Sequence, residues 1–335
     1  MRPGLYREGF IIDQPLEIIG DGKREEIIIA SANASCVLMQ TTKATVRGLT
    51  LRQEEPGNNH DVGFFAVDIA QGRLLLEDCD ITSKSLACIG IHNEMTEPLI
   101  RRCHIHAGAD SGIYIFNKAK GTIEECDIYD CRNVVVAITE GAAPIIRRCS
   151  IRDGKDAGIV VWNRGAGLIE ECNIFSNAKT NVGVSEEGKP IFRHCRIYDG
   201  ENSGVFVHNG GQSTLEDCDI YHHVAAEVAV THRGNLTMSE CRIHDGQDSG
   251  LFVSDAGRLL IRECEVFAHA DAGVNVDPGG IAAIYRCRIN CNNSFAIRVK
   301  AGGAIQVEES DLTNNGIATW QTEHGARVES QRNRI

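Results

Sequence analysis

The chain reads as all-β, wound as a right-handed parallel β-helix: a solenoid of about 23 residues per coil and roughly 12 coils. Two observations carry this. First, Cys79, Cys103, Cys126, Cys149, Cys172, Cys195, Cys218, Cys241, Cys264, Cys287 and Ser310 stand 24 and then nine times 23 residues apart. A sustained period in the twenties means stacked supersecondary units rather than one globular core. Second, each Cys sits in an apolar-x-x-Cys-x-apolar run such as Ile146 to Ile151, and a second short alternating run such as Ile159-Val160-Val161 follows about ten residues later. Alternation over three to six residues, bounded by Gly, Asn and Asp, marks strands. No stretch carries a capped amphipathic helical period.

Composition fits a narrow solenoid. Gly contributes 34 of 335 residues and aromatics only 5%, which suits many corners and a thin core. A formal charge of −12 argues against a nucleic-acid groove, which needs a basic stripe. No run of 18 apolar residues and no basic-apolar leader is present, so no membrane association is expected. A Cys repeated once per coil at an apolar-flanked position points inward and stacks on itself at about 4.8 Å. A disulfide wants Cβ atoms near 3.8 Å, so the column reads as free thiols acting as small hydrophobes. That predicts a reducing, cytoplasmic setting. Cys36, Cys88, Cys131 and Cys291 lie off the column, and no Cys-x-x-Cys pair suggests zinc. No metal or other cofactor is expected.

The coils alternate over 46 residues. Just before the Cys, one kind carries Arg101-Arg102, Arg147-Arg148 and Arg193-His194; the other carries Glu124-Glu125, Glu170-Glu171 and Glu216-Asp217. In-register stacking would set like charges side by side, and alternating their sign turns repulsion into attraction. A charged binding strip is the functional alternative. The first kind also carries Asp153-Gly154-Lys155-Asp156-Ala157-Gly158, with counterparts at Asp199 to Gly204 and Asp245 to Gly250. These read as corners in which Gly supplies positive φ. Calcium is the sharper reading, but the Gly-Gly-x-Gly-x-Asp nonapeptide is missing.

As a single domain, residues 1–51 form irregular opening coils with successive strands within Pro15 to Gly22, Ile27 to Ile29 and Thr45 to Leu51. Residues 52–78 form a coil whose polar stretch Glu54 to Asp61 is a protruding loop, residues 79–310 the regular coils, and residues 311–335 a polar cap. The N-terminal edge has no visible cap and is open to self-association.

Pro3-Gly4-Leu5-Tyr6-Arg7-Glu8, Pro15 to Gly20 and Val46 to Leu51, followed by the Cys column, resemble the pectin-lyase-like parallel β-helix proteins. The similarity is to the carbohydrate-binding and sugar-hydrolase-type repeats found in the β-helix of F-box substrate adaptors. It spans nearly the whole chain, with one opening coil fewer than such relatives carry. It implies fold rather than activity, because the repeat encodes coil geometry. Of the enzyme motifs in that superfamily, Arg298-Val299-Lys300 matches an Arg-x-Lys without its partners. Asp277-Pro278-Gly279 lacks the His of an epimerase-like Asp-Pro-His. His104, His106 and His194 read as solvated strand or corner positions.

The candidate binding face lies on the second strand of each coil. Tyr114 and Phe116 should point outward, followed by Trp162, then Phe206 with His208, then Phe252, while the coils between carry small residues. Beside them runs a polar line of Asn117, Glu140, Asn163, Glu186, Asn209, His232 and Asp255. Rings recurring every two coils beside amides and carboxylates suit an extended glycan or peptide, with Trp162 as the expected anchor. The plainer alternative is a packed sheet surface edged by a hydrogen-bonded corner ladder. The leading expectation is therefore a non-catalytic scaffold that binds a polymer or a protein partner. The alternative is a polysaccharide-active enzyme (lyase, epimerase or glycoside hydrolase) using the same face.

Overall fold

The computed structural model, which describes residues 1–55 and 63–335, is a parallel β-solenoid of about 14 turns at about 23 residues per turn. Each turn lays down three short strands that join three sheets, here A, B and C in order along the turn. Among the described residues the helical content is one 3-10 turn, Arg24–Glu26. The count exceeds the expected 12 because regular strands extend to both ends. Gly4–Tyr6, Phe10–Ile12 and Leu16–Ile19 already form a turn. The tail read as a polar cap carries Ala318–Thr322 and Arg327–Gln331, paired in register with the preceding turn. Strand pairing needs only backbone groups, so it persists where the Cys period stops. Most of the loop expected at 54–61 lies outside the described residues.

Contacts group the chain into two compact units: Met1–Val160 with Arg164–Asn173, and Val161–Asn163 with Ile174–Ile335. Inside both, identical apolar residues stack. Ile105, Ile128 and Ile151 align in sheet A of the first unit, and Ile197, Ile220 and Ile243 in sheet A of the second, all fully buried. Between sheets C and A the chain turns sharply through a non-Gly residue at positive φ, such as Arg148 (52°) or Glu240 (56°). The next residue is the repeated Cys. Its thiol points in and leans on the carbonyl two residues back, at 3.4 Å from Cys149 to Arg147 and 3.2 Å from Cys241 to Ser239. Ser310 takes the same place, its hydroxyl donating to the Glu308 carbonyl at 2.9 Å. All fourteen cysteines are free, and Cys291 is the exposed one. An aromatic disulfide reagent should therefore titrate about one thiol in the native protein and all fourteen after denaturation. Several fast-reacting native thiols would mean the column is not interior.

On sheet C the charge alternation makes ion pairs between turns. In the first unit Arg147 donates to Glu124 at 2.8 Å, Arg148 lies 3.2 Å from Glu125, and Arg102 lies 2.9 Å from Asp78. Glu77 is 2% exposed and takes Arg47, Arg101 and Arg102. Burial alone would push its pKa up, but the Arg101 and Arg102 guanidiniums outweigh that and hold it down. In the second unit Arg193 pairs with Glu216, and His194 with Asp217 at 2.9 Å. Sheet A of that unit alternates too, through Arg242, Glu265 and Arg288, with Arg288 3.3 Å from Glu265. Glu124 stands in register between Arg101 and Arg147. Glu124→Arg should cost about 1–3 kcal/mol in urea denaturation, less at high salt. A cost that ignores salt would assign the effect to packing.

The second unit also threads a polar column through its interior. Asn177, Gly200, His223, Gly246, His269, Asn292 and Asn315 occur at a 23-residue interval. Asn315 accepts from the Asn292 backbone at 3.1 Å, and Asn292 accepts from the His269 backbone at 3.2 Å. His269 accepts from the Gly246 N–H at 3.3 Å and donates to the Ile243 carbonyl at 3.1 Å. His223, fully buried, pairs with the fully buried Glu227, and its Nε2 lies 2.8 Å from Asn181.

This column explains the Asp-Gly signature and corrects its reading. Positive φ belongs to the Asp (Asp199 52°, Asp245 55°), not to the Gly after it. The glycines make room instead. A Cβ on Gly200 would come within 2.7 Å of the His223 ring, and one on Gly204 likewise 2.7 Å; Gly246 and Gly250 stand to His269 in the same way, at 2.8 and 2.6 Å. Burial lowers the pKa of His269 to about 4. The unfolded chain, with an ordinary value near 6.5, therefore takes up the proton first. Its contribution is complete above about pH 6.5 and is lost as pH falls through about 4, roughly 3 kcal/mol in all. Denaturant melts between pH 7 and 4 should show this slope, and His269→Asn should flatten it. An unchanged slope in the variant would place the acid sensitivity elsewhere.

Candidate functional site

In the first unit, sheet B carries Val67–Ile69, Ile89–His92 and Ile113–Phe116 on successive turns. Ile89, Ile91, Ile113 and Ile115 are fully buried, so the alternating positions face outward. The register sets Asp68, Gly90 and Tyr114 in one outward column and His92 beside Phe116 in the next. His92 Nε2 lies 2.7 Å from Asp68 Oδ1, with the two side chains 20% and 24% exposed. The imidazole stacks on Phe116 at 5.0 Å between centroids, and Tyr114 packs on the other side of the cluster, 4.8 Å from Phe116. Phe65 lies flat on Gly90, where a Cβ would come within 2.5 Å of its ring. An imidazole–carboxylate pair thus sits among three aromatic rings.

The electrostatics of this pair follow from its neighbours. The Asp68 carboxylate raises the pKa of His92 against the opposing effect of burial. Burial, then the Glu140 and Asp110 charges, push Tyr114 up, so its phenol stays protonated. Asn117 donates to Asn93 at 2.7 Å, and Asn93 to the Ala70 carbonyl at 2.9 Å, closing the edge of the patch with amides. The site therefore holds an imidazole whose pKa is raised, a protonated phenol and flat apolar rings.

The expected face is only partly a face of this kind. In the first unit Tyr114 and Phe116 point outward as expected, half-buried, while Asn117 and Glu140 are exposed at the corner after the strand. In the second unit Trp162, Phe206, His208 and Phe252 are half-buried, and Phe206 stacks on His208 at 4.3 Å. Burial lowers the His208 pKa. The polar line has a backbone cause: Asn117, Glu140, Asn163, Glu186, Asn209, His232 and Asp255 all adopt φ between 45° and 52°. Asn and Asp tolerate that left-handed corner best. His92 and Asp68, absent from the expected face, belong to the same columns one and two turns earlier. Carrying the Tyr114 and Phe116 registers back by 24 residues finds Gly90 and His92, and Asp68 follows at 22 more.

Two other surfaces differ in kind. Sheet A of the second unit stacks Phe175, Tyr198, Tyr221, His244 and Phe267 at 4.8, 5.1, 5.0 and 4.9 Å, nearly parallel. Their faces cover one another, so only edges meet solvent and the ladder is a structural stack. Of the histidines read as solvated, His106 stacks on Tyr129 at 4.8 Å. On the first unit a groove of about 590 Å³ opens at the turn into sheet C, between Thr41, Arg73, Met95, Glu97 and Lys120. Its lining holds no cysteine or imidazole, and Arg73 is engaged with Glu97 at 3.1 Å. Among the described residues no group of three or more His, Cys, Asp or Glu is placed to hold a metal ion.

The comparisons bear on fold and on the expected role. No curated protein sequence matches the chain. Among solved structures, the A-module of an Azotobacter vinelandii mannuronan C-5 epimerase is similar at a TM-score of 0.63 and 14% identity, over 87% of this chain and 90% of that one. A pectate lyase aligns at 0.54 and 11%, over 74% and 72%. The catalytic domain of an α-1,3-glucanase, solved with nigerose, aligns at 0.57 and 10%, over 99% and 63%. At these identities the likeness establishes the fold. The expectation of a non-catalytic scaffold is nevertheless corrected: the neighbours are named for enzymes acting on polysaccharides, which favours the alternative reading, and sheet B of the first unit carries the His92–Asp68 pair. The model of the right-handed beta helix region matches residues 35–179, 135–277 and 192–335, which together span most of the sequence, and the chain belongs to that family.

Proposed function

We propose that the chain is a polysaccharide-active enzyme that transfers a proton at a sugar carbon, by elimination or epimerisation, with His92 as base and Tyr114 as donor. The observation that carries this is the 2.7 Å His92–Asp68 pair set among Phe116, Tyr114 and Phe65. The rings offer flat apolar surface to the faces of a glycan, and the amides of Asn93 and Asn117 line its edge. Asp68 accepts the Nε2 hydrogen and leaves Nδ1 as the basic nitrogen of neutral imidazole. Neutral His92 takes the proton from the sugar carbon. The phenol of Tyr114 supplies one to the leaving oxygen or to the opposite face, and solvent restores both groups. Hydrolysis would call for two carboxylates flanking the bond, whereas Asp68 is engaged with His92. The fold neighbours named mannuronan epimerase and pectate lyase support the same class.

Alginate, polygalacturonate and α-1,3-glucan, assayed for unsaturated ends, epimer ratio and reducing ends, test this directly. Turnover of a uronate polymer should fall at least about a hundredfold in His92→Gln. Because Asp68 raises the His92 pKa, kcat/KM should climb with pH through an inflection above 6.5. Asp68→Asn should move that limb to lower pH while lowering the plateau. Glucan hydrolysis that survives His92→Gln would overturn the assignment.

A further inference from the structure

Outside that site, the sheet B surface of the second unit holds an arrangement no structural role accounts for. Asn275 lies between Phe252 on one turn and Arg298 on the next, at outward positions in register. It is 8% exposed. Two residues on and on the same face, Asp277 places one oxygen 3.0 Å from Lys300 Nζ. The Oδ1 atoms of both Asn275 and Asp277 are shielded from solvent and accept no hydrogen bond from any described residue. Buried acceptors without donors are destabilising, and folded chains keep few of them. Arg298 does not relieve them: it is bound through two nitrogens to Asp271 and through Nε to Gln321 at 2.6 Å. Lys300, whose side chain is 40% exposed, pairs with the other Asp277 oxygen through a flexible stem.

The chemistry of this surface selects its ligand. In extended backbone the two residues are spaced about 6.6 Å along the chain, a separation that hydroxyls on opposite edges of one six-membered sugar ring can span. Phe252 lies alongside as an apolar platform. Asp248, Asp271 and Asp277 all act on Arg298, and Asp277 pairs with Lys300, so attraction to a carboxylate is not what the site offers. A metal cation would face both of those basic groups. We infer that Asn275, Asp277 and Phe252 form a second glycan site, which binds a pyranose ring through hydroxyl donation to the two unpaired oxygens as Lys300 swings aside. Ligand hydroxyls complete what the fold leaves unsatisfied, and the exposed Lys300–Asp277 pair is cheap to displace.

The test uses the full chain carrying His92→Gln, so that binding is read without turnover and stands apart from the catalytic proposal. An α-1,3-gluco-oligosaccharide and an oligomannuronate are titrated by calorimetry at low and high salt. Binding of either, nearly independent of salt, is expected, because hydroxyl donation is not screened. Asn275→Leu, Asp277→Asn and Phe252→Ala should each weaken it about tenfold. Asn275→Leu should leave the melting temperature unchanged or higher, since an apolar group replaces an unpaired buried amide. Asp277→Asn and Phe252→Ala keep the test decisive if that variant folds poorly. The site is refuted if neither oligosaccharide binds, if all three variants bind like the parent, or if only the uronate binds and salt abolishes it. Intact binding alongside an inactive parent enzyme would reject the His92 mechanism and leave this site standing.

Discussion

Parallel in-register stacking brings each side chain within about 4.8 Å of its counterpart one turn away, and most features of this chain answer that constraint. A residue must be compatible with its own kind or alternate with a complement. Isoleucine and cysteine satisfy the first condition inside the coil, and flat rings do so on sheet A of the second unit. Charged residues cannot, so Arg and Glu alternate on sheet C in both units and on sheet A in the second. Bulky buried groups cannot either, so each inward imidazole in the second unit lies against glycines of the turn before.

The fold was legible because this constraint writes itself at a fixed interval. The Cys period located the corners, and the short apolar runs located the strands. The ends were harder: Arg327–Gln331 pairs through backbone groups with side chains that carry no apolar signature and are exposed throughout. The glycines of the Asp199–Gly204 and Asp245–Gly250 corners take another role for a related reason. Asp-Gly in a corner has a familiar local meaning, and only three-dimensional register shows that the space beside the glycine belongs to a ring 23 residues away.

The candidate site was less legible for the opposite reason. A reacting group is useful where it departs from the repeat, and a search built on recurrence passes over singular residues. Asp68 and His92 occupy columns that elsewhere hold Ala137, Gly183, Thr139 or Ser185, so their meaning lies in being exceptions. Asn275 and Asp277 are exceptions in the same columns. The polar corner line was visible because it does recur, and its recurrence proved to be backbone chemistry, a left-handed residue after each strand of sheet B from Ile113–Phe116 to Leu251–Val253.

The clasp around His223 also bears on how such a chain can grow. Gly200 and Gly204 lie on one turn and the imidazole they admit on the next, with Gly246 and Gly250 repeating the arrangement around His269. Tandem duplication or excision of one turn in this region would set ring against ring or leave a cleft beside glycine. Two turns copied together preserve every such fit. The heritable module of this segment is therefore the pair, and length variation among its descendants should come in steps of two coils.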